Sequence, residues 1–289
     1  MSFDTQPLIG MHDVTYTYEN GVNAVKGVNL NIYDGEIVGI MGMNGAGKTT
    51  LFRMLNGLIR PSNGTIIFEC ETIAEKTIAQ LSQSIGIIFQ NPEHQLFANT
   101  IEEEIEFSLK SLKLNSEEIR HRVDAVLSEF KLGRYRKRSP LNLSGGETKK
   151  LAVASIICRD PRVIVFDEPT LGQDARELEL FTNLLYKEKR GGKTIIIVTH
   201  NVEYALEHIP RTILMSNGEI IADGPTDALL KNESLIKKAS LTLPQVRRFS
   251  LELERVGINP PKNLTSRAEM VEFLIDYMKN ESSSGMGGD

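Results

Sequence analysis

The chain has 289 residues, which suits one large domain, or a large domain with a small appendage, able to bury a core without disulfides or metals. Its hydrophobic fraction of 40% and charged fraction of 25% are near globular averages, which argues against wholesale disorder and fibrous repeats. The formal charge of −5 would repel DNA or RNA phosphates, so we do not predict a nucleic-acid partner.

The first eighty residues have the pattern of an antiparallel β portion. Residues 14–18, 28–32 and 65–68 alternate or cluster around turn signals such as Asn63-Gly64. A second kind of strand is apolar on successive positions, which is typical of a sheet covered on both faces. Its members are residues 36–41, 85–89, 163–166 and 195–198. We therefore expect an α/β core with an antiparallel β part beside it.

A glycine-rich loop, residues 42–49, directly follows the strand 36–41 and precedes a potential helix. This is the P-loop pattern in its required context. Glycines let the backbone N–H groups turn inward, and the helix start adds partial positive charge, so the loop can cradle phosphate oxygens. Lys48 would reach the β- and γ-phosphates, and the Thr49 hydroxyl would bind Mg²⁺. The predicted phosphate-binding residues are Gly42, Asn44, Gly45, Ala46, Gly47, Lys48, Thr49 and Thr50.

A helix and a basic cluster are predicted between the strands at 85–89 and 163–166. Apolar residues recur at helical spacing over 119–130, with Asn115 and Glu118 placed for a capping box. The basic cluster follows, and we weigh a solvated loop against contact with a partner or lipid headgroups. Its members are Lys131, Arg134, Arg136, Lys137 and Arg138.

The apolar strand 163–166 ends in two carboxylates. Asp167, at the strand end beside a P-loop, can hold Mg²⁺ directly or through water. Glu168 can orient the water that attacks the γ-phosphate and accept its proton. Asp-Glu after such a strand is also an ordinary helix-start signal, but the P-loop favours the catalytic interpretation.

The strands stop after Pro225, and helix-like pieces separated by prolines follow. We predict a nucleotide-binding domain at residues 1–227 with a helical subdomain at about 91–160, a helical appendage at 228–280 and a disordered tail at 281–289. The appendage carries more apolar surface than so small a segment can bury alone.

Three features bear on location. Cys70 and Cys158 are too few for a disulfide framework and fit a reducing compartment. The longest apolar runs fall far short of the ~18 residues that cross a bilayer. The early Asp4, with no basic start before a long apolar block, does not fit a secretory signal. We therefore expect a cytoplasmic protein.

Residues 143–147 read Leu-Ser-Gly-Gly-Glu and could bind a phosphate through a serine, bare glycine amides and the start of a helix. With the P-loop before them and Asp167 after them, the chain resembles the ATP-binding cassette (ABC) ATPases over about residues 8–225. The resemblance implies a P-loop NTPase fold of class α/β, with an antiparallel β subdomain and a helical signature subdomain. It also implies a head-to-tail dimer in which one subunit's signature closes on ATP held by the other. The signature residues are Leu143, Ser144, Gly145, Gly146 and Glu147.

The same resemblance implies roles for further residues. Gln90 looks like the glutamine that senses Mg²⁺ and the attacking water, and His200 looks like the switch histidine that contacts the γ-phosphate. Asp174 ends the D-loop and is grouped with the ATP-binding residues. Tyr18 resembles the residue that stacks on adenine, with Tyr16 as the alternative.

Two positions depart from the family pattern. The signature continues Glu147-Thr148-Lys149-Lys150 rather than the usual Gln-x-x-Arg, and this puts the charge pairing of the helix in doubt. The D-loop has Gly172-Gln173 where many relatives have Ala-Leu, so its cross-subunit contacts are in doubt too.

Residues 89–97 resemble the corresponding segment of the energy-coupling factor (ECF) importers of cobalt, nickel or vitamins, and the C-terminal segment fits that branch. The resemblance implies ATP and Mg²⁺ as cofactors and a second ABC ATPase subunit, either a copy of this chain or a paralogue. It also implies a membrane coupling protein that docks near residues 90–97, a separate membrane substrate-binding subunit, and a peripheral location at the cytoplasmic face of the membrane. Glu93 would contact an arginine of the coupling protein or merely cap the turn after Pro92.

Other classes fit less well. A soluble ABC ATPase acting on DNA or ribosomes usually has long coiled-coil inserts or two cassettes, and residues 61–141 leave no room for a long arm. A P-loop kinase would lack the signature. In ECF relatives the C-terminal segments help hold the two cassettes together. We expect the same of this appendage, with packing on its own core as the alternative.

Overall fold

The computed structural model describes residues 6–91, 95–261, 264 and 267–284. Within this part of the chain the strands form a four-stranded and a six-stranded sheet. In chain order the strands are β1 (Ile9–Thr17), β2 (Asn23–Ile32), β3 (Ile37–Met41), β4 (Asn63–Phe68), β5 (Glu71–Thr72), β6 (Ile85–Ile88), β7 (Val163–Asp167), β8 (Thr194–Thr199), β9 (Arg211–Ser216) and β10 (Glu219–Pro225).

The α-helices lie on and between these sheets. In chain order they are α1 (Lys48–Leu55), α2 (Ile78–Ser84), α3 (Ile101–Leu109), α4 (Ser116–Glu129), α5 (Gly145–Ile157), α6 (Ala175–Arg190), α7 (Val202–His208), α8 (Thr226–Lys231), α9 (Glu233–Lys238), α10 (Gln245–Arg255) and α11 (Arg267–Ser284). None of the described helices is both long and apolar enough to cross a bilayer.

The six-stranded sheet has the order β10-β9-β3-β8-β7-β6 and is parallel except for β10. All side chains of β3, β6 and β8 are buried, because elements cover both faces of the sheet. The four predicted apolar strands are confirmed here as β3, β6, β7 and β8. Their carboxyl ends share one edge, which brings the segments that follow them together.

The four-stranded sheet has the order β2-β1-β4-β5 and is antiparallel, which confirms the predicted antiparallel portion. Its buried face shares one core with α1 and with one face of the six-stranded sheet. Both cysteines are free thiols, Cys70 exposed and Cys158 buried. This agrees with the absence of a predicted disulfide framework.

The helical subdomain consists of α3, α4 and α5 around their own apolar cluster. The predicted capping box is present: Asn115 accepts hydrogen bonds from the Glu117 and Glu118 amides, and Glu118 accepts one from the Asn115 amide at 2.7 Å. These bonds satisfy amides that the first turn leaves free, and Val123, Val126 and Leu127 bury the inner face of α4.

The C-terminal appendage begins later than residue 228. Leu230, Ile236 and Ala239 on α8 and α9 are buried in the core of the six-stranded sheet, so the predicted boundary cuts through α8. A separate apolar cluster joins α10 and α11 and includes Val246 and Met270. By packing, the appendage therefore starts at α10.

The end of the chain also differs from the expectation. α11 continues to Ser284, so the predicted start of the tail at residue 281 falls within this helix. Residues 285–289 lie outside the described part of the chain.

Candidate functional site

The loop between β3 and α1 is held close to neighbouring backbone, which explains two of its glycines. A Cβ on Gly42 would lie 2.3 Å from the Met215 carbonyl oxygen, and one on Gly47 would lie 2.3 Å from the Ala24 carbonyl oxygen. No side chain fits at such distances, so glycine is required at both positions. Gly47, at φ 98°, then directly precedes α1.

Three backbone hydrogen bonds fix the rest of this loop. The Ala46 amide donates to the Met43 carbonyl at 3.2 Å, and the Gly218 amide donates to the Ala46 carbonyl at 3.1 Å. The Met43 amide donates to the carbonyl of Ala239, at the end of α9, at 3.0 Å. The loop is thus attached to the β9–β10 turn and to the C-terminal helices, while Asn44 and Gly45 stay exposed to solvent.

Lys48 is almost fully buried, with 6% of its surface exposed. Its Nζ donates to the carbonyls of Gly42 at 2.8 Å and Met43 at 3.0 Å. Burial lowers the pKa of Lys48, and the charges of Glu168 and Asp167 act in the opposite direction. The loop therefore folds around an ammonium group that also interacts with the two predicted acids.

Glu168 and His200 meet where β7 and β8 end. The Glu168 Oε1 and His200 Nδ1 atoms are 2.8 Å apart, and the His200 amide donates weakly to Oε2 at 3.4 Å. The Glu168 backbone is left-handed, at φ 49°, and its amide donates to the Val198 carbonyl at 2.8 Å. Glu168 is 9% exposed, whereas the side chain of His200 is about half exposed. The geometry pairs a buried carboxylate with an imidazole that solvent can reach.

Asp167 has the features of a metal-binding carboxylate. Burial and the charge of Glu168 raise the pKa of Asp167 to about 6, while Lys48 and Arg53 oppose this shift. A raised pKa means that the ionised carboxylate is destabilised, and a nearby cation would stabilise it. The Asp167 carboxylate and the Thr49 hydroxyl are hard oxygen donors of the kind that Mg²⁺ prefers.

No group of three His, Cys, Asp or Glu in the described residues forms a metal site by itself. Proteins usually hold Mg²⁺ through one or two carboxylates together with substrate phosphates and water, and Asp167 supplies one such carboxylate. The residues present therefore fit a Mg²⁺ ion that arrives with a nucleotide.

Tyr18 lies beside the start of α1. Its hydroxyl is 2.9 Å from the buried Thr50 Oγ1, and its ring meets Tyr16 edge to face at 4.9 Å. Tyr18 is 37% exposed, while Tyr16 packs partly against the core. Tyr18 is thus the better placed of the two for stacking on a base at the P-loop.

Gln90 follows β6 and is exposed at the sheet edge that carries the other site residues. The strand end before it is fixed by Gln95, whose side chain accepts from the Phe89 amide at 3.2 Å and donates to the Ile87 carbonyl at 3.0 Å. Glu93 lies outside the described residues.

The signature residues form the first turn of α5 and the segment before it. Ser144 caps the helix in a capping box with Glu147, and its hydroxyl is 2.9 Å from Glu147 Oε2. A hydrogen bond from Tyr135, with further bonds from Ser144, lowers the pKa of Glu147 to about 2. Gly145 is exposed and Gly146 partly so, while Leu143 packs partly into the helical cluster.

Two groups of predicted residues emerge. One contains the P-loop, Tyr18, Asp167, Glu168 and His200, and the other contains the signature. Among the described residues no hydrogen bond or ion pair joins the signature directly to the P-loop. Asp174, predicted to bind ATP, caps α6 by accepting from the Glu177 amide at 2.8 Å.

The basic cluster is partly neutralised within the chain. Arg136 contacts Glu102 at 2.8 Å and Asp124 at 2.7 Å, and Lys137 also pairs with Glu102. Arg134 lies 3.6 Å from Glu147. A solvated loop braced by ion pairs accounts for these contacts.

Three residues that hold segments of the site in place were not predicted from the sequence. Gln95 fixes the end of β6, the buried Glu104 accepts from the Phe97 and Ala98 amides at 2.9 Å, and Lys149 contacts the D-loop. Glu104 alone had a sequence signal, because it stands on the apolar face of a helix where a carboxylate needs a partner.

Residues 25–171 match the family model of the ABC transporters. The chain is 40% identical to a putative ABC transporter ATP-binding protein of Methanosarcina mazei, over 89% of this chain and 43% of that protein. It thus spans less than half the length of this relative. It is 37% identical to the energy-coupling factor transporter ATP-binding protein EcfA of Methanococcus maripaludis, over 92% of this chain and 98% of that protein.

Two solved structures are similar to this chain over three quarters of its length or more. CbiO1 of Clostridium perfringens, described as part of the ABC transporter complex CbiONQ, is 33% identical with a TM-score of 0.71, over 87% of this chain and 97% of that chain. An ATP-binding cassette solved as a dimer in a post-hydrolysis state, bound to ADP and Pi, is 30% identical with a TM-score of 0.68, over 75% of this chain and 98% of that chain.

Proposed function

The chain belongs to the ABC transporter family, and within it to the ATP-binding proteins of energy-coupling factor transporters, and from this premise we propose that it binds and hydrolyses ATP to drive import. The observation that carries the proposal is the pairing of Glu168 with His200 beside a P-loop whose lysine interacts with the same carboxylate. This arrangement supplies a phosphate cradle and a base at one sheet edge.

ATP binding would use contacts that the loop already has in place. The start of α1 and the remaining loop amides would favour phosphate oxygens, whereas the Met43 and Ala46 amides already donate to carbonyls of the chain. Lys48 would exchange its bonds to the Gly42 and Met43 carbonyls for bonds to the β- and γ-phosphates. Tyr18 would stack on adenine, which the T-shaped contact with Tyr16 leaves room for on the exposed ring face.

Hydrolysis would depend on Glu168. Its carboxylate would orient the attacking water and accept the proton, and His200 would contact the γ-phosphate. Thr49, Asp167 and Gln90 would hold Mg²⁺, which would supply positive charge that stabilises the phosphate oxygens. The Glu168 carboxylate contacts His200, while Asp167 lies one residue earlier at the end of β7, so the two acids would have separate tasks.

The signature would act on a second subunit. Ser144, Gly145 and Gly146 present a helix start to solvent, which suits a phosphate held by another chain. A head-to-tail dimer would then form two composite sites. Closure on ATP and reopening after hydrolysis would move the segment at Gln90. The second cassette is a copy of this chain or a paralogue.

The membrane partners would lie on the helical subdomain. Phe97, the last residue of the segment 90–97, is 64% exposed. Its ring packs edge to face against that of Phe107, which is 48% exposed. Such an exposed aromatic pair suits an apolar helix of a coupling protein. A separate membrane subunit would bind the imported metal ion or vitamin. The chain would thus lie peripherally at the cytoplasmic face of the membrane.

Affinity capture of the tagged chain from detergent-solubilised native membranes, followed by mass spectrometry, tests the transport assignment. We expect a multi-span membrane protein to co-purify, and Phe97→Asp to remove it while ATP binding persists. Leu180→Asp, which changes a 49% exposed side chain on α6, is the matched control and should retain it. Ribosomal proteins or DNA-repair proteins in place of a membrane protein would instead favour a soluble ABC ATPase.

A further inference from the structure

Lys149 reaches from the signature helix to the loop that follows β7. It is partly buried on α5, and its Nζ donates a hydrogen bond to the Leu171 carbonyl oxygen at 3.2 Å. The start of α5 is therefore tied to the D-loop, residues 171–174, of the same chain.

The Leu171 end of this contact leads directly to the predicted base. The Leu171 amide donates to the Glu168 carbonyl at 3.2 Å, which closes a short turn. The side chain of Glu168 in turn contacts His200 at 2.8 Å. A displacement of Leu171 would therefore change the orientation of Glu168.

The D-loop has few other restraints. Gly172 has a left-handed φ of 67° and open space around its α-carbon. The buried Gln173 Oε1 has no hydrogen-bond partner within the described residues, and the Gln173 amide makes a long bond of 3.4 Å to the Thr170 carbonyl. Asp174 is held by the cap of α6, and within the described residues the bond from Lys149 is the hydrogen bond that joins this loop to α5.

We propose that Lys149 is a positioning residue that holds the D-loop, and through it Glu168, against the signature helix of its own chain. The inference rests on the proposed function, in which the signature contacts ATP of the partner subunit while Glu168 acts on ATP of its own chain. Lys149 therefore connects the two composite sites of the dimer. ATP that seats the signature at one site aligns Glu168 at the other.

Two substitutions separate the hydrogen bond from other properties of this side chain. Lys149→Met keeps the aliphatic stem and removes the donor, whereas Lys149→Arg keeps a charged donor. The side chain of Lys150, the next residue on α5, makes no hydrogen bond or ion pair within the described part of the chain. Lys150→Met is therefore the matched control, because it removes one positive charge without removing such a contact.

Steady-state ATP hydrolysis is the first readout. We expect Lys149→Met to lower kcat about fivefold, the rate equivalent of one typical hydrogen bond, with KM for ATP and the thermal unfolding midpoint unchanged. Lys149→Arg should recover most of the rate, and Lys150→Met should match the unmodified chain. A fall in the unfolding midpoint that accounts for the lost rate would overturn the proposal.

Mixed dimers of two differently tagged chains then locate the effect. One chain carries Glu168→Gln, so only the intact Glu168 of the other chain turns over. Lys149→Met should lower the rate about fivefold when it is in the chain with intact Glu168, and little when it is in the Glu168→Gln chain. Equal loss in both arrangements, or loss only in the second, would overturn the proposal.

The same assays distinguish this inference from the proposed function. If the unmodified chain hydrolyses ATP neither alone nor when assembled with a paralogous cassette, both are wrong. If the unmodified chain hydrolyses ATP and Lys149→Met does so at the same rate, the inference about Lys149 alone is wrong.

Discussion

Asp167 and Glu168 are adjacent carboxylates whose surroundings differ. Asp167 ends β7 facing Lys48 and Arg53, and burial with its neighbour's charge raises its pKa to about 6. Glu168 has a left-handed backbone, and its carboxylate contacts His200. Asp167, whose ionised form a cation would stabilise, therefore suits metal binding. Glu168, which pairs with an imidazole, suits proton transfer.

The first prediction concerns Glu168 itself. Glu168→Gln keeps the shape of the side chain but removes its basicity, so MgATP should still bind while turnover falls roughly 10²- to 10⁴-fold. Because the γ-phosphate then persists, the variant should accumulate as an ATP-bound dimer. Phosphate release and native mass with ATP measure both effects.

Glu188→Gln is the matched control for that experiment. Glu188 lies on α6 and is 8% exposed, about as buried as Glu168, and burial raises the pKa of its carboxyl. Its amide replacement should leave kcat within about twofold, since it lies outside the site. Turnover by Glu168→Gln within a few-fold of the unmodified chain would contradict the assignment.

Site residues on short motifs were predictable, because their chemistry and spacing are local in sequence. Lys149 and Gln95 were not, since their partners lie in backbone that only the fold brings near: the Leu171 carbonyl and the end of β6. Main-chain acceptors carry no residue-type signal. Sequence therefore identifies the groups that we propose to bind ATP better than those that hold them in place.

At the scale of elements, continuous apolar runs were the reliable signal. β3, β6, β7 and β8 match predicted strands because both faces of the parallel sheet are covered. The limits of β1 were less predictable, since register shifts interrupt its pairing with β2. Strand existence depends on composition, whereas strand ends depend on pairing.

The helices α8 and α9 were assigned to the appendage, but they belong to the core. Their turn signals and proline neighbours resemble those of the later helices, so sequence alone does not separate the two groups. Ile236 is 1% exposed in the core of the large sheet, and the carbonyl of the buried Ala239 accepts from the P-loop amide of Met43. These helices therefore help to hold the P-loop in place.

The second prediction tests that assignment. Ile236→Ala should lower the free energy of unfolding by about 2–5 kcal/mol, the cost of lost burial and a core cavity. Val22→Ala, which alters a 54% exposed side chain just before β2, should change it by less than about 0.5 kcal/mol. Denaturant titration measures the change in the free energy of unfolding for both variants. Small and equal changes would indicate that α9 belongs to the appendage and not to the core.

On the scale of the whole molecule, the described residues form a nucleotide-binding core, a helical signature subdomain and a two-helix appendage. The first two follow from the sequence, because each carries its motif and its own apolar periodicity. The appendage carries no motif, and its role depends on what covers it. Its cluster buries Val246, Leu253 and Met270, yet neighbouring apolar side chains stay exposed.

The last prediction concerns that exposed surface, which we expect to hold two cassettes together without nucleotide. Val256 is 72% and Val271 53% exposed in a single chain, and pairing with a second cassette would remove them from water. Val256→Asp with Val271→Asp should therefore convert a nucleotide-free dimer into monomers that still bind ATP through Lys48, as light scattering and nucleotide titration would measure. Ile78→Asp, which changes a 48% exposed side chain on α2, should leave the dimer intact. A double variant that stays dimeric at the same concentration, or an unmodified chain already monomeric there, would contradict the assignment, because the appendage would then pack only on its own core.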